Sequence, residues 1–249
     1  MVSERLGLRQ LNASLSTPIG KNSSVELRLL NGFELQSGGE SISLPMSVQR
    51  LLAFLAFQTS PVQRVYVAGK LWLDAPEERA FASLRTAMWR ANHAGVNLVV
   101  AANSRVALDP QVRVDLREAS AHAHRILDGS AGEEASFAGL GLNDELLPDW
   151  YDDWLLLERE RYRQLRLHAL EALAVKLTAL NRFGEAAETA LAAIAGEPLR
   201  ESAHRVLICV HLAEGNRSEA VRHYGLVRDL FRSELDLAPS EQLEKLLEG

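Results

Sequence analysis

Three helical patterns enclosed between two stretches of strand pattern, all within Val25–Leu108, leave few folds open to this chain. The first stretch alternates apolar and polar positions at Val25, Leu27 and Leu29, then at Phe33 and Leu35, then at Ile42 and Leu44. Asn31-Gly32 and Gly38-Gly39 are turn dipeptides between these runs. Pro45 suits a helix start, and Val48, Leu51, Leu52, Leu55 and Ala56 follow at helical spacing until Thr59-Ser60-Pro61 breaks the pattern. A short second helix is expected from about Val65 to Trp72, and Asp74-Ala75-Pro76 leads into a third, Pro76 to Ala94. Leu98–Val100, the polar turn around Asn103-Ser104-Arg105 and Val106–Leu108 then read as a β-hairpin. A third helix that follows a short second one and precedes a hairpin describes a winged helix. In that arrangement the third helix enters a major groove and the hairpin reaches a neighbouring phosphate or minor groove.

The third helix carries the candidate chemistry. At about 100° of rotation per residue, Phe81, Leu84, Met88 and Ala91 form one apolar stripe. The opposite face collects Arg79, Ser83, Thr86, Trp89, Arg90 and His93, with Arg85 and Asn92 on the flank. Guanidinium, hydroxyl and imidazole groups are those that reach base edges and phosphates; the alternative is a solvated face of mixed charge. Arg105 at the hairpin tip is placed for a phosphate, or is an ordinary turn residue. Trp89 lies near the polar face, within reach of a sugar or a thymine methyl, but packing beneath the wing is the favoured expectation.

At 249 residues the chain is long enough for two cores. The division expected is a mobile polar tail over 1–24, a winged-helix domain over 25–125, a linker over 126–147 rich in small and acidic residues, and a helical domain over 148–249. No apolar run approaches a membrane span and the first residues lack a signal-peptide core, so no membrane partner is expected. A single cysteine, Cys209, rules out an internal disulfide and fits a reducing cytoplasm. The net charge of −6 is uneven: residues 25–125 hold 11 Lys+Arg against 9 Asp+Glu, and residues 126–249 hold 13 against 23. The first region is therefore only weakly basic, which implies modest affinity for DNA by one protomer and a need for dimerisation or for a second protein on the duplex.

From Pro148 onward strand signals nearly vanish. A long helix is expected from Trp150, its stripe running through Trp154, Leu157, Leu165, Leu170, Leu173, Leu177 and Leu180 to Asn181. Further helices are expected over Gly184–Ala195, Pro198–Ala213 and from Ser218, as cap, to about Leu235, with a short terminal helix after Ser240. LNRFGEAAETA and EGNRSEAVRHY echo one another: Asn181/Asn216 and Arg182/Arg217 at an offset of 35, Glu185/Glu219 and Ala186/Ala220 at 34. A period near 34 in helix–turn–helix units is the tetratricopeptide pattern.

Other chemistry finds no support. His122 and His124 face different ways on a helix, and His204 and His211 stand two turns apart, so neither pair chelates a metal alone. Asp152-Asp153, Glu158 and Glu160 suit a helix start better than a catalytic pair. Gly38-Gly39 and Gly139-Leu140-Gly141 match no phosphate-binding loop. Neither enzyme activity nor a cofactor or metal is expected. Trp72, Trp150 and Trp154 read as packing residues.

The chain resembles the SARP-type transcriptional activators (Streptomyces antibiotic regulatory proteins) from about Val25 to its end. QRLLAFLAF, the LW of KLWLDAP and SLRTAMWR carry the resemblance in the first half. LLPDWYDDWLLLERERYRQLRLHALEALA, EPLRESAHRVLI, LAEGNRSEAVRHY and LAPSEQL carry it in the second, as a bacterial transcriptional activator domain. The resemblance implies an OmpR-like winged helix followed by an all-α, tetratricopeptide-like domain. It also implies promoter binding as paired protomers on direct repeats and recruitment of RNA polymerase. The family's recognition positions fall on Ser83, Arg85, Thr86, Trp89 and Arg90. Departures are Ala91, Asn92 and His93 where leucine and arginines are usual, Val106 in place of an aromatic near the wing, and Asp236 in place of a glycine. The ATPase modules fused to some relatives are not expected. The rival reading is a protein-interaction module built on the helical repeats, with a degenerate winged helix that does not bind DNA.

Overall fold

The computed structural model describes residues 24–132, 141–142 and 144–248, and the chain divides into two compact units. The expected tail, Ser24 apart, lies outside the described residues, as do 133–140 and Asn143 of the expected linker.

The first unit holds β1 (Val25–Arg28), β2 (Glu34–Ser37), β3 (Glu40–Ser41), α1 (Met46–Ala56), β4 (Val62–Gln63), α2 (Arg64–Leu71), α3 (Glu77–Asn92), β5 (Val99–Ala102), β6 (Arg105–Leu108) and β7 (Val112–Val114). One sheet has the order β3-β2-β1-β7 and the other β4-β6-β5. Gly38 and Gly39, at φ 60° and 86°, make the left-handed turn that joins β2 to β3. The three helices and the β5–β6 hairpin form the winged helix that the pattern predicted. β4 was not legible, because two residues are too few to show alternation.

The core of this unit is built from the residues at helical spacing on α1, with Val67, Ala68 and Leu71 of α2 and Leu98, Val99, Val106 and Leu108 of the hairpin. On α3 the buried residues are Ala80, Leu84, Ala87 and Ala91, each 3% exposed or less. Phe81 and Met88 are only half-buried, so the stripe is turned from the predicted line. Alanines 80 and 87 make the difference: small side chains let α3 lie close to α1 and α2, where larger ones would hold it away.

The second unit comprises Arg28–Phe33 and everything from Val114 on, so that it takes the last residue of β1 and of β7. Its helices are α4 (Asp115–Leu127), α5 (Asp153–Ala179), α6 (Phe183–Gly196), α7 (Glu201–Glu214), α8 (Arg217–Leu235) and α9 (Glu241–Lys245). This corrects the expected boundaries at 125 and 148. Ala123 and Ile126 of α4 share a core with Leu142, Leu167, Leu170 and Leu173, so the helical unit begins well before Pro148. Part of the expected N-terminal strand pattern also belongs here. Both carboxylate oxygens of Asp115 accept from the backbone N–H of Leu29, at 2.9 and 3.0 Å, and one also accepts from Leu30 at 3.1 Å. Asn31 donates to Asp144 at 2.6 Å and Phe33 stacks on Trp150 at 5.9 Å. Those long-range partners have no sequence signature.

On α5 the buried line starts at Leu155 and continues through Tyr162, Leu167, Leu170, Leu173 and Leu177, whereas Leu157 is 58% exposed. Trp150 precedes the helix, and Asn216 rather than Ser218 stands at the N-cap of α8. The echo between the repeats proves consistent at 34 throughout. Asn181 (φ 58°) and Gly215 (φ 84°) are the paired left-handed residues that end α5 and α7. Arg182 (φ −90°, ψ 60°) and Asn216 (φ −92°, ψ 61°) are then equivalent N-caps, and Ala186 and Ala220 are both fully buried. The offset of 35 was therefore a false register, produced by an asparagine on each side of the turn. Among the described residues no helix is long and apolar enough to cross a membrane.

A histidine pair links α7 to α8. His204 Nε2 lies 2.7 Å from the Pro198 carbonyl, which only accepts, so Nε2 carries the proton. Nδ1 of the neutral ring then accepts from Nε2–H of His223 at 3.1 Å. Burial lowers the pKa of His204, and burial together with repulsion of a second charge beside His204, His211 and the Arg222 guanidinium lowers that of His223 to about 4. Unfolded histidine titrates near 6.5. Stability from this pair is thus complete above about pH 6.5 and is lost as pH falls toward 4, since the unfolded chain takes up the protons first. Urea denaturation of wild type and His223→Leu across that range checks this: the wild-type midpoint falls more steeply than that of the variant.

Candidate nucleic-acid interface

Sixteen residues give α3 a length of about 24 Å, and its two faces are sharply distinct. With Ala80, Leu84, Ala87 and Ala91 turned inward, Arg79, Arg85, Thr86, Trp89, Arg90 and His93 are all exposed, and Ser83 is half-buried. By helical rotation Arg79, Ser83, Thr86, Arg90 and His93 share an arc about 80° wide, with Trp89 beside it and Arg85 on the flank. Glu77 and Glu78 fill the first turn, where negative charge suits the helix dipole.

Among the described residues, the side chains of Arg79, Arg85 and Arg90 make no ion pair or hydrogen bond. The second unit treats its surface arginines differently: Arg161 pairs with Glu158 at 2.9 Å, Arg182 with Glu185 at 2.5 Å and Arg222 with Glu219 at 2.5 Å. Each guanidinium of α3 keeps five N–H donors for an external acceptor.

The smaller polar groups are already oriented. Thr86 Oγ1 donates to the Ala82 carbonyl at 2.9 Å, so its proton is engaged and its oxygen keeps only acceptor capacity. His93 Nδ1 lies 2.8 Å from the Trp89 carbonyl, which only accepts, so Nδ1–H donates and ties the imidazole to the preceding turn. The imidazole also stacks on the Trp89 indole, centroids 4.1 Å apart at 27°. Trp89 itself is 59% exposed, which corrects the expectation that it packs beneath the wing. The rotated stripe explains this: Ala87 and Ala91 fill the space against the core.

Asn92 has a structural part that the sequence alone does not show. Its Nδ2 donates to the Val99 carbonyl at 2.8 Å, and its Oδ1 accepts from the N–H groups of Leu98 and Val99 at 3.1 and 2.9 Å. One side chain thus ties the end of α3 to the first strand of the wing. A position that the sequence showed only as a missing arginine is occupied by the hairpin's anchor. The far end of the wing is tied too. Arg64 N–H donates to Ser104 at 2.8 Å, and β4 pairs Val62 with Val106 and Gln63 with Arg105. Arg105 Nη1 donates to the Pro61 carbonyl at 3.1 Å while the side chain stays exposed, so the guanidinium is steadied with donors to spare.

The sequence pattern of the bacterial transcriptional activator domain matches residues 107–249, more than half of the chain. The chain belongs to the bacterial transcriptional activator domain family. That domain covers the second unit from Val114, and its family is one of transcriptional regulators rather than of enzymes. It is the second half of the SARP-type architecture that the motifs suggested. Among solved structures the chain is similar to Mycobacterium tuberculosis EmbR in complex with a low-affinity phosphopeptide, with a TM-score of 0.70 and 20% identity. The likeness covers 91% of this chain and 65% of that one, and at this identity it carries the fold: a winged helix followed by a helical domain. No curated protein sequence matches the chain.

Asn92→Ala leaves one carbonyl and two N–H groups without their partner, which costs about 1–3 kcal/mol. Hydrogen exchange read by mass spectrometry checks it: protection falls over residues 98–108 while that of α1 is unchanged.

Proposed function

We propose that this bacterial transcriptional activator domain protein is a cytoplasmic, sequence-specific regulator that binds double-stranded DNA through α3 and the wing. The observation that carries the proposal is the set of three exposed, unpaired arginines, Arg79, Arg85 and Arg90, on the outer face of the third helix of a winged helix. An exposed cation without a protein partner suits a phosphate or the O6/N7 edge of guanine. Arg85 and Arg90 make the main base or phosphate contacts, Ser83 and Thr86 smaller polar ones, and Arg105 grips a phosphate from the wing. Arg79 and His93 complete the footprint at the two ends of the helix.

The weakly basic first region limits what one protomer can hold, so paired protomers occupy repeated promoter sites. The activator domain then contacts RNA polymerase and raises transcription, and no cofactor enters the cycle. The net acidity of the chain does not oppose this. Its excess lies in the second unit, where arginines are engaged by carboxylates on their own helices.

Titrating wild type, Arg85→Ala and Arg90→Ala against promoter DNA at several salt concentrations tests the proposal. Loss of one phosphate contact lowers the slope of log K against log salt by about one unit. Loss of a bidentate base contact costs about 1–3 kcal/mol and relaxes selection at one base pair. Unaltered binding by both variants rejects the assignment. Failure of wild type to enrich any motif at low salt favours the protein-interaction reading.

A further inference from the structure

We infer that Trp89 is a base-reading residue that selects thymine, its ring meeting the C5-methyl group and its Nε1–H the O4 oxygen. This rests on the DNA-binding reading above and names the base at one position of that interface.

The inference starts from an exposed indole that the fold does not use. Trp89 is 59% exposed, on the side of α3 that faces away from the core, and Ala87 and Ala91 fill the positions that bury. Among the described residues its Nε1–H has no acceptor, whereas Trp154 Nε1 donates to Asp152 at 3.1 Å. The indole is also held in place. His93 stacks on it at 4.1 Å, and the same imidazole is anchored through Nδ1 on the carbonyl of Trp89 itself. Residue 89 and residue 93 therefore form one ordered aromatic unit, which lowers the entropy lost when a partner fixes the ring.

What surrounds the unit says which partner fits. On a helix the neighbours of position 89 are 85, 86 and 93, here Arg85, Thr86 and His93, with Arg90 next in the chain. The setting is polar and cationic, which suits a polyanion better than an apolar docking groove.

Base chemistry then narrows the choice. The indole offers an apolar ring and a single donor, and no acceptor. In the major groove thymine alone places an apolar group, the methyl, next to an acceptor, O4. Cytosine presents an amino donor, which opposes Nε1–H. Adenine places an amino donor beside its N7, and guanine offers two acceptors with no apolar group, which leaves the ring without a partner.

The test is a double-mutant cycle. The full-length chain is first used to select its site from a random duplex library, and each thymine of the selected site is then replaced by uracil, which removes the methyl and keeps O4. At one position the replacement weakens wild type about four-fold, the worth of one buried methyl group at about 0.8 kcal/mol. The same replacement leaves Trp89→Ala unaffected, while Trp89→Phe, which retains an apolar ring, keeps part of the methyl sensitivity. Circular dichroism verifies that both variants fold, as expected for an exposed position. Equal effects of uracil on wild type and Trp89→Ala at every thymine overturn the inference, as does a selected site without an invariant T·A pair. If wild type selects no motif at all, the DNA-binding reading fails and takes this inference with it. A clear motif indifferent to Trp89 rejects the thymine contact alone.

Discussion

The burial of four residues on one helix, Ala80, Leu84, Ala87 and Ala91, governs what this protein can present to the outside. Three of the four are alanines, so the helix sits close to α1 and α2 and its rotation is set by close packing rather than by bulk. A turn of the stripe by one position would bring Arg79 or Arg85 toward an apolar core, where neither finds a partner and where an unpaired charge is very costly. The apolar face therefore specifies the polar one. Arg79, Arg85 and Arg90 project because nothing else is compatible with the inner side.

Two strategies for surface charge coexist in the chain. In the helical unit arginine and glutamate alternate at spacings of three residues and neutralise each other, each pair contributing little to stability. A partly buried exception is Arg200, which donates to Glu171 at 2.6 Å with both side chains about 15% exposed, and so holds the start of α7 to α5. On α3 no such pairing exists among the described residues. A modest positive excess left unneutralised is more available to a polyanion than a larger one already spent on internal pairs. Net charge alone conceals that difference.

The end of α3 gives the departures from the SARP pattern a physical account. Asn92 and His93 stand where arginines are usual, and at the level of sequence this counts as lost charge. Both side chains are instead committed locally, Asn92 to three backbone groups of Leu98 and Val99, His93 to the carbonyl and the ring of Trp89. The helix exchanges charge for order at the point where it meets the wing. Val106, which replaces an aromatic, is 1% exposed and belongs to the hairpin core.

Local pattern alone determined the winged helix, the helical repeat and the exposed arginines. The periodicities that distinguish strand from helix span a few residues, and the apolar spacing that marks α1 also marks its buried face. The alanines at 186 and 220 were legible for the same reason, but the paired N-caps were not, since Asn216 misled the register by one residue and Ser218 imitated a cap. Tertiary structure decided the rest. Asp115 captures Leu29 and Leu30 across 86 and 85 residues and assigns that segment to the helical unit, a partnership no local pattern encodes. The same holds for α4 on α5, for the rotation that exposes Trp89, and for Asn92 as the anchor of the wing. Each depends on which groups meet when the chain closes on itself, and a hydrogen-bond partner six or eighty residues away leaves no trace in the spacing of apolar side chains.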